Sequence, residues 1–127
     1  MDNNLYREHI LEHYGHPRNL GRLEDADVSC EWDNPLCGDV VRIDIKLHDG
    51  RVSDVRFEGQ GCVISMASAS MFTEKIMGKT IEELKVLTDE DIFEMLGVEL
   101  GPSRAQCGLL PLRVLQEGLK DEVGSQI

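Results

Sequence analysis

No apolar run in this chain approaches the ~20 residues that cross a bilayer, so a membrane-spanning helix is not expected. Positive charge is also scarce: 13 Lys and Arg against 24 Asp and Glu leave a formal net charge of -11, which repels a phosphate backbone and an anionic membrane surface alike. Neither nucleic acid nor membrane is an expected partner. The first residues, MDNNLYREHI, are acidic and polar where a secretory signal is basic and then apolar, which points to the cytoplasm. The four cysteines, Cys30, Cys37, Cys62 and Cys107, include no C-x-x-C pair and lie far apart in what is then a reducing compartment. That argues against a disulfide framework and against a zinc finger. Repeats, low-complexity tracts and a second domain are missing too, and 127 residues at 41% hydrophobic suit one domain over residues 1–127. The cysteines are left with three uses: a metal site, a reactive thiol, or core filling.

Apolar spacing supplies the elements. Leu5, Tyr6, Ile10, Leu11 and Tyr14 recur among charges at a helical interval, and Gly15 with Pro17 stops that first helix. In ADVSCEW, Val28, Cys30 and Trp32 alternate with polar residues as a half-buried strand requires, which gives Cys30 a structural use. Val41, Ile43, Ile45 and Leu47 alternate next, Asp49-Gly50 supplies a hairpin turn, and Val55 and Phe57 alternate on the return. From Val63 the period changes to that of a helix rich in small residues, ended by Gly78. Thr80 with Glu83 and Thr88 with Asp91 have the spacing of capping boxes that open two short helices, the second stopping at Gly97. ELGPSRAQ, residues 99–106, has the composition of a loop, and Leu112, Leu115, Leu119 and Val123 mark a last helix with Pro111 in its first turn. The expected fold class is α+β: a three-stranded antiparallel sheet covered on one face by helices.

Three cysteines then fall at element ends. Cys37 and Asp39 stand at the start of the second strand, Cys62 in the turn after the third, and Cys107 just ahead of the last helix. A helix N-terminus stabilises a thiolate, so Cys62 and Cys107 are expected to have depressed pKa values. In a meander the start of the second strand and the end of the third share one edge, which brings Cys37 and Cys62 close. If Asp39 and Cys107 converge there, three soft thiolates and one carboxylate suit iron in a sulfide cluster or tetrahedral Zn²⁺. Core filling stays open for any single cysteine. Gly38 and Gly61 tilt the balance, because turn glycines let backbone approach a ligand and a packed thiol needs no such freedom.

HYGHPRNLG, NPLCGDV, GQGCVISMASAS and a lone cysteine opening the last helix, in that order, resemble the iron-sulfur cluster scaffold family of IscU, the NifU N-terminal domain and SufU. The resemblance covers nearly the whole chain. It implies a SufE/NifU-like sandwich, with Cys37, Asp39, Cys62 and Cys107 as ligands of a cluster or metal. It also implies a scaffold and carrier rather than an enzyme: a cysteine desulfurase delivers persulfide sulfur, for which Cys107 is the accepting candidate. Iron arrives, a transient 2Fe-2S cluster is built, and it passes to acceptor apoproteins. A cluster with few protein ligands can also be shared between two copies of the chain, as a homodimer. Asp39 would be the weak ligand that makes the cluster releasable, since carboxylate binds a sulfide cluster less well than thiolate.

Departures from the family pattern narrow what carries over. Gln106 replaces the usual histidine before the third cysteine, which leaves Asp39 the better fourth ligand. Arg104 matches a basic position and is a candidate partner for Asp39 or a persulfide. LGPSR, residues 100–104, only partly resembles the chaperone-recognition segment LPPVK, so a chaperone partner does not carry over. LYREHILEHYGHPRN and GCVISMASAS look more like SufU, which implies resting Zn²⁺ and zinc-dependent persulfide acceptance as the alternative function. SufU-like chains, however, carry an insertion between the second and third cysteines, and residues 78–106 leave no room for one. HILEH, His9 to His13, matches a zinc-peptidase pattern without the rest of such an enzyme and is expected on a solvated or partner-facing helix face. GKT at Gly78 to Thr80 lacks the earlier glycine of a phosphate loop and is expected to be a helix stop followed by a cap.

Overall fold

The computed structural model describes residues 3–34 and 38–126, with side chains for residues 7–34 and 38–119. Cys37, and the side chains of Leu5, Tyr6 and Val123, lie outside the described residues. In chain order the elements are α1 (Asn3–Gly15), β1 (Val28–Asp33), β2 (Val40–His48), β3 (Arg51–Gln60), α2 (Val63–Ile76), α3 (Ile81–Lys85), α4 (Asp89–Leu96) and α5 (Pro102–Gln126). The strands form an antiparallel sheet in the order β1-β2-β3, and α5 packs on β1 and β2, α2 on β3, and α1 on α2.

Alternation in β2 and β3 builds the core face. Ile43 pairs with Phe57 and Ile45 with Val55, and all four are buried under the helices. Burying each of these side chains stabilises the fold by roughly 1.5–3 kcal/mol. The hairpin turns at Asp49 and Gly50, both with positive φ, as the sequence signal requires. Both capping boxes form: Thr80 and Thr88 each accept the amide three residues on, and Glu83 and Asp91 reach back. Thr80 is thus the cap of α3, and the GKT segment is a turn into that helix.

The structure departs from the expected pattern at four places. Asp44, on the polar side of β2, is 1% exposed, because residues 19–23 leave the edge of β3 and reach it at Leu23. The Phe57 amide donates to the Asn19 carbonyl, the Gly21 amide donates to the Phe57 carbonyl, and Asp44 accepts from the Leu23 amide and the Ser29 hydroxyl. Trp32 sits at the end of β1 and is 37% exposed instead of lining the core with Val28. The His9 to His13 face is only partly solvated: His9 is exposed, whereas His13 is buried. Its Nδ1 lies 2.7 Å from the Ser70 hydroxyl, which also accepts the Arg18 amide at 2.8 Å. Through these two contacts on Ser70 the HYGHPRN segment clamps α1 and its exit loop onto α2.

The fourth departure bears on the site. Residues 99–106 are not all loop, because α5 begins at Pro102, where proline's missing N–H costs nothing. Cys107 therefore sits inside the helix rather than ahead of it, and its expected stabilisation by a helix N-terminus does not apply. Pro111 also lies within α5, and it has no N–H to donate toward the Cys107 carbonyl one turn back.

Candidate metal centre

The sheet register sets the site's position. Val40 pairs with Gln60 and Val41 with Gly59, so the residues just before β2 and just after β3 meet at one edge. Gly59 allows that pairing at close range: an added Cβ would lie 2.2 Å from the Val40 carbonyl oxygen. Ahead of β2 the Gly38 amide donates to the Asn34 carbonyl at 2.7 Å and the Asn34 amide to the Asp39 carbonyl at 2.8 Å, which holds Asn34 beside the start of the strand. Gly38 has φ +76, a conformation that favours glycine. The result is a buried Asp39 whose Oδ2 lies 3.5 Å from the Cys62 amide.

Cys62 is the N-cap of α2, and its sulfur accepts the Ser65 amide at 3.5 Å. Gly61 is wedged between two side chains of the site: a Cβ there would lie 2.3 Å from the Ser65 hydroxyl and 2.8 Å from the Asp39 carboxyl carbon. Cys107 reaches the same place from α5, whose register on α2 is held by the Ser68 hydroxyl donating to the Gly108 carbonyl at 2.6 Å. Gly108 also leaves room for α4, since a Cβ would meet the Leu96 side chain at 2.9 Å.

Asp39, Cys62 and Cys107 thus come together, their ligand atoms all within 4.8 Å of one another. Donors sharing one tetrahedral ion lie roughly 4 Å apart, so the set needs only slight contraction to hold zinc or iron. Two sulfurs and one oxygen suit zinc or a sulfide-bridged iron centre better than a hard cation such as Mg²⁺. Cys62 is exposed while Asp39 and Cys107 are buried, so the group opens to solvent on the Cys62 side.

The remaining sequence candidates lie elsewhere. Cys37 is outside the described residues. Cys30 is half-buried and packs beside Gly118 of α5. Arg104 is exposed and lines a shallow pocket with Arg7, Ile64 and Glu99, and among the described residues no ion pair joins it to Asp39. Gln106 is exposed, next to Cys107 in α5. Ser65 went unnoticed in the sequence, although a serine in a first helical turn commonly bonds the carbonyl three residues back.

The model of the NifU-like N terminal domain matches residues 5–126. The chain belongs to that family. It is 41% identical to the zinc-dependent sulfurtransferase SufU of Bacillus subtilis (strain 168), over 94% of this chain and 92% of that protein. It is equally, 41%, identical to the iron-sulfur cluster assembly scaffold protein IscU of Aquifex aeolicus (strain VF5), over 95% of this chain and 78% of that one. A solved relative is an iron-sulfur cluster assembly scaffold protein proposed for the SUF system of Fervidobacterium islandicum AW-1. It superimposes with a TM-score of 0.76 at 28% identity, covering 94% of this chain and 99% of that one. The family's α+β sandwich is the fold described above. Among the described residues no helix is long and apolar enough to cross a membrane.

Proposed function

We propose that this protein is a cytoplasmic scaffold on which a labile 2Fe-2S cluster is assembled from iron, desulfurase-derived persulfide sulfur and an external electron donor that reduces that sulfur to sulfide, and then passed to acceptor apoproteins. The cluster is cargo rather than a resident cofactor. The observation that carries the reading is the mixed donor set, two thiols and a carboxylate within 4.8 Å on a site open at Cys62. Cys37, three residues after Asn34 in the sequence, is the proposed third thiol.

Each side chain has a distinct part. Cys62 stands on the open side, where a partner's persulfide arrives. A thiolate attacks the terminal persulfide sulfur, which passes across while the partner's thiolate leaves. Cys107, behind Cys62 and within the same 4.8 Å, is the proposed final acceptor of that sulfur. Asp39 supplies the weakest bond to a soft centre, which keeps the product exchangeable. Its burial keeps water from competing for that bond before an acceptor docks.

A second reading, zinc-dependent persulfide acceptance, is favoured by the 41% identity to SufU. Against it, the alignment with SufU runs to 137 positions, longer than the 127-residue chain itself, so SufU has residues with no counterpart here. The alignment with the Aquifex scaffold runs to only 123 positions while covering slightly more of this chain. Anaerobic incubation with ferrous iron, cysteine and a desulfurase separates the two. A red-brown protein that passes its colour to an apo-ferredoxin supports the scaffold. A colourless protein that keeps one tight zinc and takes up persulfide supports the alternative.

A further inference from the structure

Ser65 lies one turn into α2 and is fully buried, with no exposed surface at all. Three contacts tie it to Cys62: its amide donates to the sulfur at 3.5 Å, its hydroxyl donates to the Cys62 carbonyl at 3.1 Å, and the Cys62 sulfur lies 3.7 Å from its oxygen. The hydroxyl also occupies the space beside Gly61, in the same small volume as the Asp39 carboxyl. An ordinary first-turn serine needs only the carbonyl bond. Placement within reach of a reactive sulfur, with the intervening residue cut back to glycine, goes beyond that.

We infer that Ser65 is a positioning residue for the metal-bearing sulfur: when Cys62 binds a metal as thiolate, the Ser65 hydroxyl turns from the Cys62 carbonyl to the Cys62 sulfur. Metal binding removes the thiol hydrogen, so a hydrogen bond between that sulfur and the Ser65 oxygen then requires the serine as donor. The sulfur is then held by an O–H and an N–H from one residue. Hydrogen bonds to a ligating sulfur fix its orientation and withdraw electron density from it, which weakens its hold on the metal. Ser65 would thereby work with Asp39 to keep the site exchangeable. The inference rests on the reading of Cys62 as a ligand.

Cobalt(II) alone is a sufficient probe, because thiolate-to-cobalt charge transfer absorbs in the near ultraviolet while the visible bands report ligand geometry. Donors on the sulfur lower its lone-pair energy, so losing one moves the charge-transfer band to longer wavelength. Ser65→Ala is expected to show that shift relative to wild type with its visible bands retained. The isosteric pair Ser65→Val and Ser65→Thr repeats the comparison at matched shape, the valine variant absorbing at longer wavelength than the threonine variant. Bands at the same position within both pairs would overturn the inference, as would a wild-type band left undiminished by Cys62→Ser. A wild type without any charge-transfer band would overturn the ligand reading and this inference together.

Discussion

A methyl group at position 61 would overlap the Ser65 hydroxyl and the Asp39 carboxyl carbon at once. Gly61→Ala is therefore expected to destabilise the protein by about 1–3 kcal/mol and to weaken zinc binding, seen in urea unfolding and in competition with a chelator. Asp39→Ala acts the other way on the cargo: without the weak carboxylate ligand the cluster should persist longer. Slower loss of visible absorbance checks this, and faster loss would contradict it. His13 carries the clearest pH effect. Burial holds its pKa below the ordinary 6.5, helped by Arg18 and His9 and opposed by Glu74 and Glu12. The unfolded chain accepts a proton that the folded one resists, so this contribution is complete above pH 6.5 and is lost as pH falls toward the folded value. Urea midpoints measured between about pH 7.5 and about 5.5 should fall for wild type and fall less for His13→Gln. Gly61 and Asp39 were legible from turn chemistry and donor type. The burial of His13 and Asp44 was not, because each is covered by a segment distant in sequence, α2 in one case and residues 19–23 in the other.

The elements best announced by sequence were those whose signals are local. Period-two alternation and Asp49-Gly50 marked the β2–β3 hairpin, and both capping boxes marked where their helices start. Thr80→Ala and Thr88→Ala should each cost about 1 kcal/mol in chemical unfolding. Cluster formation should be unaffected, since neither cap touches the site. The start of α5 was misjudged because Gly101-Pro102 is also loop composition, and proline at a first helical position looks the same as proline in a turn. What resolves it is tertiary: Leu109, Leu110 and Leu112 are buried against the sheet and helices, and the helix extends back from them through Cys107.

At the scale of the molecule, the sheet edge and two helices bring together donors that are far apart in the chain. No local motif encodes that arrangement, so the ligand group was visible in sequence only through the meander's geometry and through resemblance. Asp39, Cys62 and Cys107 meet because the β2–β3 register returns the chain to Asp39 and Ser68 locks α5 to α2. Cys30, by contrast, packs between β1 and α5, away from that group. The most direct test compares anaerobic cluster reconstitution, read by visible absorbance, on wild type and on Cys37→Ser, Cys62→Ser, Cys107→Ser and Cys30→Ser. A cluster spectrum lost with the first three substitutions and kept with Cys30→Ser is the predicted result. A wild type that forms no cluster, yet carries persulfide on one of those cysteines, would contradict the scaffold function.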